Sequence, residues 1–364
     1  MRRTLRLLGI AAGIALASQM ALADSISPET FSATLDIGES VTITKTVVIS
    51  KGAPTSALVD VKFVADTTGS MSGIINSAKS NATSIMGSLA TYGDTQFGAS
   101  EYKDRTDSYT TKVNQVLTSN TAAVQAGINQ WGALGGGDTP EANLIALKQQ
   151  AEATDWRDGS NRFIVQFGDA PGHEGGAYPT QAETIAALKD NNVKVLVVGT
   201  GNGVNNGMNS SCGGSDCAAG AATAIATATG GSFSTISSDG TGIAKLIEDA
   251  IKAAFDTYTN VALGLVGAAP SGVGVSFDPV SYTGSWDRSE DRTFTFNMTL
   301  TGLAAGTYDF GVGAFVDGGR VALESDHITV VGPVSEVPLP GALPLLLGAF
   351  GLQGALRRRR RNRA

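Results

Sequence analysis

Histidine is nearly absent: the 364 residues contain two, His173 and His327. No G-x-S-x-G elbow accompanies them, so neither a histidine-activated nucleophile nor a histidine-built metal centre is indicated. A histidine alone on a loop, as His173 is, is expected to face solvent. Cysteine is as scarce. Cys212 and Cys217 have no histidine beside them and cannot make a structural zinc site; across a short Gly/Ser loop they are expected to form a disulfide if the chain reaches an oxidising compartment. Aromatic residues are 6% of the chain, and Trp131, Trp156 and Trp286 are expected in packing rather than on a ligand platform. The run Gly199-Thr200-Gly201-Asn202-Gly203 follows an apolar stretch, but Val204 occupies the place of the last glycine of G-x-G-x-x-G, so the dinucleotide fingerprint fails. The chain is not expected to be an enzyme.

Positive charge is also missing from most of the molecule. Of 26 Lys and Arg, nine lie in the two ends: Arg2, Arg3, Arg6, Arg357 to Arg361 and Arg363. The remaining 17 face 33 acidic residues, so the body carries about −16 rather than the formal −7 of the whole. Such a surface repels phosphate backbones and anionic headgroups, and nucleic acid is excluded as an expected partner.

The ends have their own patterns. Met1-Arg2-Arg3, an apolar stretch from Leu7 to Ala17 and Ala21-Leu22-Ala23 form a signal peptide, residues 1–23, cleaved after Ala23. A membrane anchor is the alternative, short for a bilayer and wrongly flanked. At the far end, residues 333–364 hold Val337-Pro338-Leu339-Pro340, a weakly polar stretch to Leu356, and five consecutive arginines. That block could just span a membrane with its basic end in the cytoplasm. It resembles the exosortase-processed PEP-CTERM sorting tails of Gram-negative bacteria, in the variant beginning V-P-L-P-A, with Gly341 replacing the alanine. The resemblance implies transient tethering in the inner membrane, cleavage near Pro338 to Pro340, and a final place at the cell surface or in the extracellular matrix. Signal peptidase and exosortase would be the processing partners.

Between the ends, residues 24–56 alternate apolar and polar side chains, as in Phe31, Ala33, Leu35, Ile37 and then Val41, Ile43, Val47, Ile49; two strands are expected. Over 57–256 the pattern changes to apolar strands alternating with helices. Strands are expected at Val59 to Ala65, Phe97 to Tyr102, Val113 to Val116, Arg162 to Phe167, Val193 to Gly199 and Gly231 to Thr235. Helices are expected at about Met71 to Ala90, Ala122 to Trp131, Glu141 to Ala151, Gln181 to Asp190, Ala218 to Thr229 and Gly242 to Ala254. This is the pattern of an α/β, doubly wound, mostly parallel sheet. Residues 257–332 return to alternation, with about five strands. Two strands before and five after sum to one all-β, immunoglobulin-like sandwich. The α/β domain is then inserted into it or, alternatively, flanked by an independent hairpin and a five-stranded domain.

Three polar loops are expected at the carboxyl edge of the α/β sheet, where such sheets bind ligands. They are Asp66-Thr67-Thr68-Gly69-Ser70, Gly135 to Glu141, and Gly168-Asp169-Ala170-Pro171. Their carboxylates and hydroxyls are hard oxygen donors, suited to Mg²⁺, Mn²⁺ or Ca²⁺. The alternative is that Asp66, Thr68 and Ser70 simply cap the following helix.

These loops, D-x-[ST]-x-S with a later strand-ending aspartate and a glycine-rich loop between, resemble the metal-ion-dependent adhesion site of von Willebrand factor A domains. The resemblance covers about residues 57 to 255. It implies that Thr68 and Ser70 coordinate directly and that Asp66 and Asp169 act largely through water. Asp138-Thr139-Pro140-Glu141 looks like the corresponding loop of the integrin β I-like subgroup, which puts Glu141 first and Thr139 second as the middle ligand. Asp104 and Asp138 would match a second cation site of that subgroup. Gly73 and Ile74 stand where its third site has aspartates. The implied function is cation-dependent binding of a partner's carboxylate. A structural matrix component using the A domain as a passive scaffold is the alternative.

Overall fold

The computed structural model of the protein describes residues 23–137, 139–200, 207–211 and 216–333. The signal segment, the sorting tail with Val337 to Pro340, Asp138 and Cys212 lie outside the described residues; Cys217 is disulfide-bonded.

Three strands come first, β1 (Ser25–Ser27), β2 (Thr30–Asp36) and β3 (Ser40–Ile49). The α/β region follows with β4 (Ala57–Asp66), α1 (Ser72–Leu89), β5 (Gly93–Tyr102), β6 (Thr111–Thr118), α2 (Thr121–Ile128), α3 (Asn143–Ala153), β7 (Asn161–Gly168), β8 (Gly172–His173), α4 (Gln181–Asp190), β9 (Val193–Thr200), β10 (Cys217–Ala218), α5 (Ala221–Ala228), β11 (Ser232–Ile236) and α6 (Ile243–Asp256). The chain closes with β12 (Thr257–Val266), β13 (Val273–Asp278), β14 (Ser281–Asp287), β15 (Arg292–Gly302), β16 (Gly306–Val316) and β17 (Gly319–Val331).

The α/β sheet has the order β11-β9-β7-β4-β5-β6, parallel except for the β5–β6 pair. All ten residues of β4 are buried because helices cover both faces. Val59, Val61 and Phe63 pack with Ile74, Ile85 and Met86 of α1 and with Ile247 and Ile251 of α6. Val64 joins Leu144 and Leu147 of α3 and Leu188 of α4 on the other side. In α6 the apolar residues Ile243, Ile247, Ile251 and Phe255 recur every fourth position and are the buried ones, the pattern of a helix lying on a sheet. From β4 the chain first adds β5 on one side and later β7 on the other. The carboxyl ends of β4 and β7 therefore flank the point where the winding direction changes, the place where such sheets hold ligands.

Two sheets, antiparallel except for the β17–β2 pair, account for the remaining long strands, in the orders β1-β3-β15-β13 and β14-β12-β16-β17-β2. Both mix strands from before and after the α/β region: β3 pairs with β15, and β2 runs parallel to β17. The strand count differs from the sequence expectation, with three strands before and six after. β1 is too short to alternate, and Gly284 interrupts the pattern of β14. β17 begins at Gly319 rather than near Ile328 because buried charges at Glu324 and Asp326 disguise its inward face as a polar run.

A consequence is testable with fragments. Residues 57–255 carry their own two-sided core and should fold alone. Residues 258–332 should not, since β15 would lose the pairing that runs from Arg292↔Ile49 to Thr301↔Ser40 and expose an apolar edge. Cooperative thermal unfolding of the second fragment would contradict this.

Candidate metal centre

The three loops meet at the carboxyl ends of β4 and β7 through the backbone. Leu134 N donates to Thr67 O at 3.0 Å and Gly69 N to Gly135 O at 3.0 Å, joining the first loop to the second. Glu141 N donates to Pro171 O and His173 N to Glu141 O, both at 2.9 Å, joining the second to the third. The turn at Gly136 has φ +74° and passes so close that a Cβ there would lie 2.8 Å from Thr68 Cβ and 3.2 Å from Glu141 Oε1. Only glycine fits such a conformation and approach without strain.

Asp66 is fully buried. Its Oδ1 accepts from Thr68 N at 2.8 Å and from Thr68 Oγ1 at 2.7 Å, while Oδ2 is buried with no donor. Glu141 is 4% exposed and its Oε2 is likewise buried without a donor. Burial pushes Asp66 up to about 7, reinforced by Asp169 and partly offset by Lys103. Burial pushes Glu141 up to about 8, reinforced by Asp66, Asp104 and Asp169. Asp66, Glu141 and Asp169 thus share one field, and the phenol of Tyr102, donating to Phe167 O at 3.1 Å, is raised by burial and by these three.

The structure brings Asp66, Thr68, Glu141 and Asp169 together, with Asp169 half-buried and Ser70 exposed on the same loop as Thr68. Thr139 is exposed, so Glu141 is the inward-facing member of its loop. The Thr68 hydroxyl does not cap a helix: Thr68 and Met71, the residues at the two helical starts, make no side-chain cap bond. Asp104, the candidate for a second cation, receives the Tyr178 hydroxyl and Arg105 N (2.7 Å) on Oδ1 and lies 3.5 Å from His173 Nε2 through Oδ2.

Sequence reasoning missed three supports. His173 is buried rather than solvent-facing and stacks on Tyr178 with ring centroids 4.4 Å apart. Lys103 is buried, and its ammonium donates to the carbonyls of Thr67 and Leu134, stapling two loops. Asp107 accepts from Gly136 N at 3.1 Å. Only the position of Lys103 and Asp107 beside the strand-end Asp104 hinted at them.

Among the described residues no three His, Cys, Asp or Glu side chains form a metal cage of their own. The hydroxyl-assisted set does suit a hard cation: two buried acid oxygens have no donor among the described residues, and Lys103, which lowers the Asp66 value, spends its protons on carbonyls. This has a pH consequence. Without cation, native Asp66 and Glu141 keep protons that an unfolded chain releases near pH 4. Stability of the cation-free protein should therefore fall as pH rises from about 4 to about 8. A divalent cation bound there would replace those protons, so its stabilising effect should be large at pH 8 and fade below about pH 7. Melting curves with Mg²⁺ or chelator at pH 5 and 8 measure it; equal Mg²⁺ shifts at both values would contradict the assignment.

A family model of the von Willebrand factor A domain matches residues 60–238. Among solved structures, the chain is similar to a von Willebrand factor type A protein from Catenulispora acidiphila, at 16% identity and a TM-score of 0.43, covering 86% of this chain and 75% of that one. It is also similar to the conserved hypothetical protein BatB from Bacteroides thetaiotaomicron, at 17% identity and a TM-score of 0.40, covering 54% of this chain and 98% of that one. No curated protein matches the chain, and no helix among the described residues is long and apolar enough to cross a membrane. Residues 60–238, which hold all three converging loops, belong to the von Willebrand factor A domain family.

Proposed function

We propose that this is an exported binding protein that engages an acidic side chain of a partner through a divalent cation, Mg²⁺ or else Mn²⁺ or Ca²⁺, at the A-domain loops. One observation carries the reading: Asp66 Oδ2 and Glu141 Oε2 are buried at converging strand ends with no donor among the described residues. Burying anionic oxygens without a partner is costly, and a site that keeps two of them is shaped for a positive charge. Thr68, Ser70, Glu141, Asp66 and Asp169 would hold the cation, the carboxylates directly or through water. A bound cation supplies a Lewis-acidic position for an incoming carboxylate. Lys103 and the Gly135-Gly136 turn keep the loops in place. The inward-facing Glu141 supports likeness to the integrin β I-like subgroup. The mixed pairing of early and late strands supports an immunoglobulin-like sandwich carrying the A domain as an insertion. The two terminal segments support export, exosortase processing and a surface or matrix location.

Calorimetry of the purified chain with Mg²⁺ and Mn²⁺ tests the site, and pull-down from the native matrix with and without chelator tests the partner. Chelator-sensitive capture is expected. Absence of any cation heat would favour the passive-scaffold reading.

A further inference from the structure

The interior between the two sheets outside the α/β region contains a charged cluster that an apolar core has no structural need for. Lys45 of β3 and Glu324 of β17 have fully inaccessible side chains and are in direct contact, Nζ to Oε1. Asp326, two residues on and on the same face of β17, is 2% exposed. Among the described residues no donor reaches Glu324 Oε2 or either Asp326 oxygen at full hydrogen-bonding geometry, although the two carboxyls lie against each other and Asp326 against the Phe31 backbone. The cross-strand neighbours are Phe296 of Lys45, Val312 of Glu324, and Phe310 and Phe31 of Asp326; the Lys45 ammonium sits 5.7 Å from the Phe31 ring centre. β3 and β17 belong to different sheets.

We propose that Lys45 Nζ and Glu324 Cδ form an intramolecular amide, a covalent bond between the two sheets, with Asp326 as the proton-transfer group. In water, condensation of an amine with an acid is opposed because both are ionised and hydrated. Here hydration is gone, and the ionised forms carry the cost of burial. Burial raises both Glu324 and Asp326, and the two carboxyls lean on each other. A proton passed from the ammonium to Glu324 leaves a neutral amine against a neutral carboxyl. Nζ then attacks Cδ; the Cδ–O bond to the hydroxyl breaks as Asp326 protonates the departing oxygen. Asp326 recovers a proton from the nitrogen, so the balance is amine plus acid giving amide plus one water. No oxidant or cofactor is needed. Fixed contact supplies the effective concentration, about 10⁵ M or more for well-oriented groups. The water is lost to bulk and the apolar walls keep it from returning.

The bond would close a loop from β3 to β17 that contains the entire A domain, so pulling or unfolding that domain would leave its support intact. The test uses the full chain, purified and digested with trypsin. The expected product is a branched peptide joining the segments around Lys45 and Glu324, lighter by one water than their sum, with no cleavage after Lys45. Lys45→Met should remove the branch. Asp326→Asn, which keeps the shape, should slow its formation about a hundredfold, as loss of positioned acid–base catalysis does. Recovery of separate Lys45 and Glu324 peptides from wild-type protein that melts cooperatively overturns the proposal. A branch that forms at the wild-type rate in Asp326→Asn overturns the role of Asp326.

Discussion

Asp66→Asn should abolish Mg²⁺ binding while leaving the cation-free chain as stable as the wild type or more so. The wild-type carboxyl is fully buried, carries a donorless Oδ2, and is held near 7 by burial with Asp169 adding to the cost. Asparagine keeps the oxygen that Thr68 N and Oγ1 donate to and removes the charge. Loss of a supporting residue around a metal typically costs 10–100-fold in affinity; removing this anion should exceed that. Asp169→Ala and Glu141→Gln should also eliminate the calorimetric signal, whereas Thr139→Ala, at an exposed position, should not. Titration at pH 8 and melting in chelator separate the two effects. Wild-type Mg²⁺ affinity in Asp66→Asn, or loss of its cooperative melting, would mean that Asp66 serves the fold instead.

The second large effect concerns the junction between the A domain and its support. Arg288 is 5% exposed and forks onto Asp24, Nη1 to Oδ1 and Nη2 to Oδ2, both at 2.8 Å. It also donates to Ser50 O at 3.1 Å and to Phe255 O at 3.1 Å, and its backbone bonds Asp256 O and receives Gly52 N. One side chain therefore ties the chain just before the A domain to the chain just after it. Arg288→Ala strands Asp24 as a buried unpaired charge, and breaking such a pair from one side costs about 3–5 kcal/mol. Arg292→Ala, whose partners Asp287 and Glu290 are exposed, should cost less than about 1 kcal/mol. A double Asp24→Ala, Arg288→Met variant should recover part of the loss. Denaturant melts reporting equal effects for Arg288→Ala and Arg292→Ala would remove the junction role.

Much of the α/β region is legible in the sequence because its signals are local. The short β-branched and aromatic stretch Val59 to Ala65 reads as a strand although Asp60 and Lys62 interrupt it, and Asp66 to Ser70 follows it directly. Glycine spacing and the strand-ending Asp169 place two more loops at the same edge. That Glu141 rather than Thr139 faces inward is not local: it follows from backbone pairing of Glu141 with Pro171 and His173. Lys103 could not be identified either, because its partners are carbonyls, which every residue has.

The sequence by itself determined the alternation of strand and helix over residues 57–256, the oxygen-donor chemistry of the three loops, and the charge of the body. Tertiary structure alone decided where charge is buried. His173 lies against Tyr178, Arg288 reaches Asp24, and Lys45 reaches Glu324 across 279 positions of chain. Periodicity reports which face of one element is apolar. Whether a lysine or glutamate on that face meets an opposite charge depends on which distant strand lies opposite, and no local pattern contains that information.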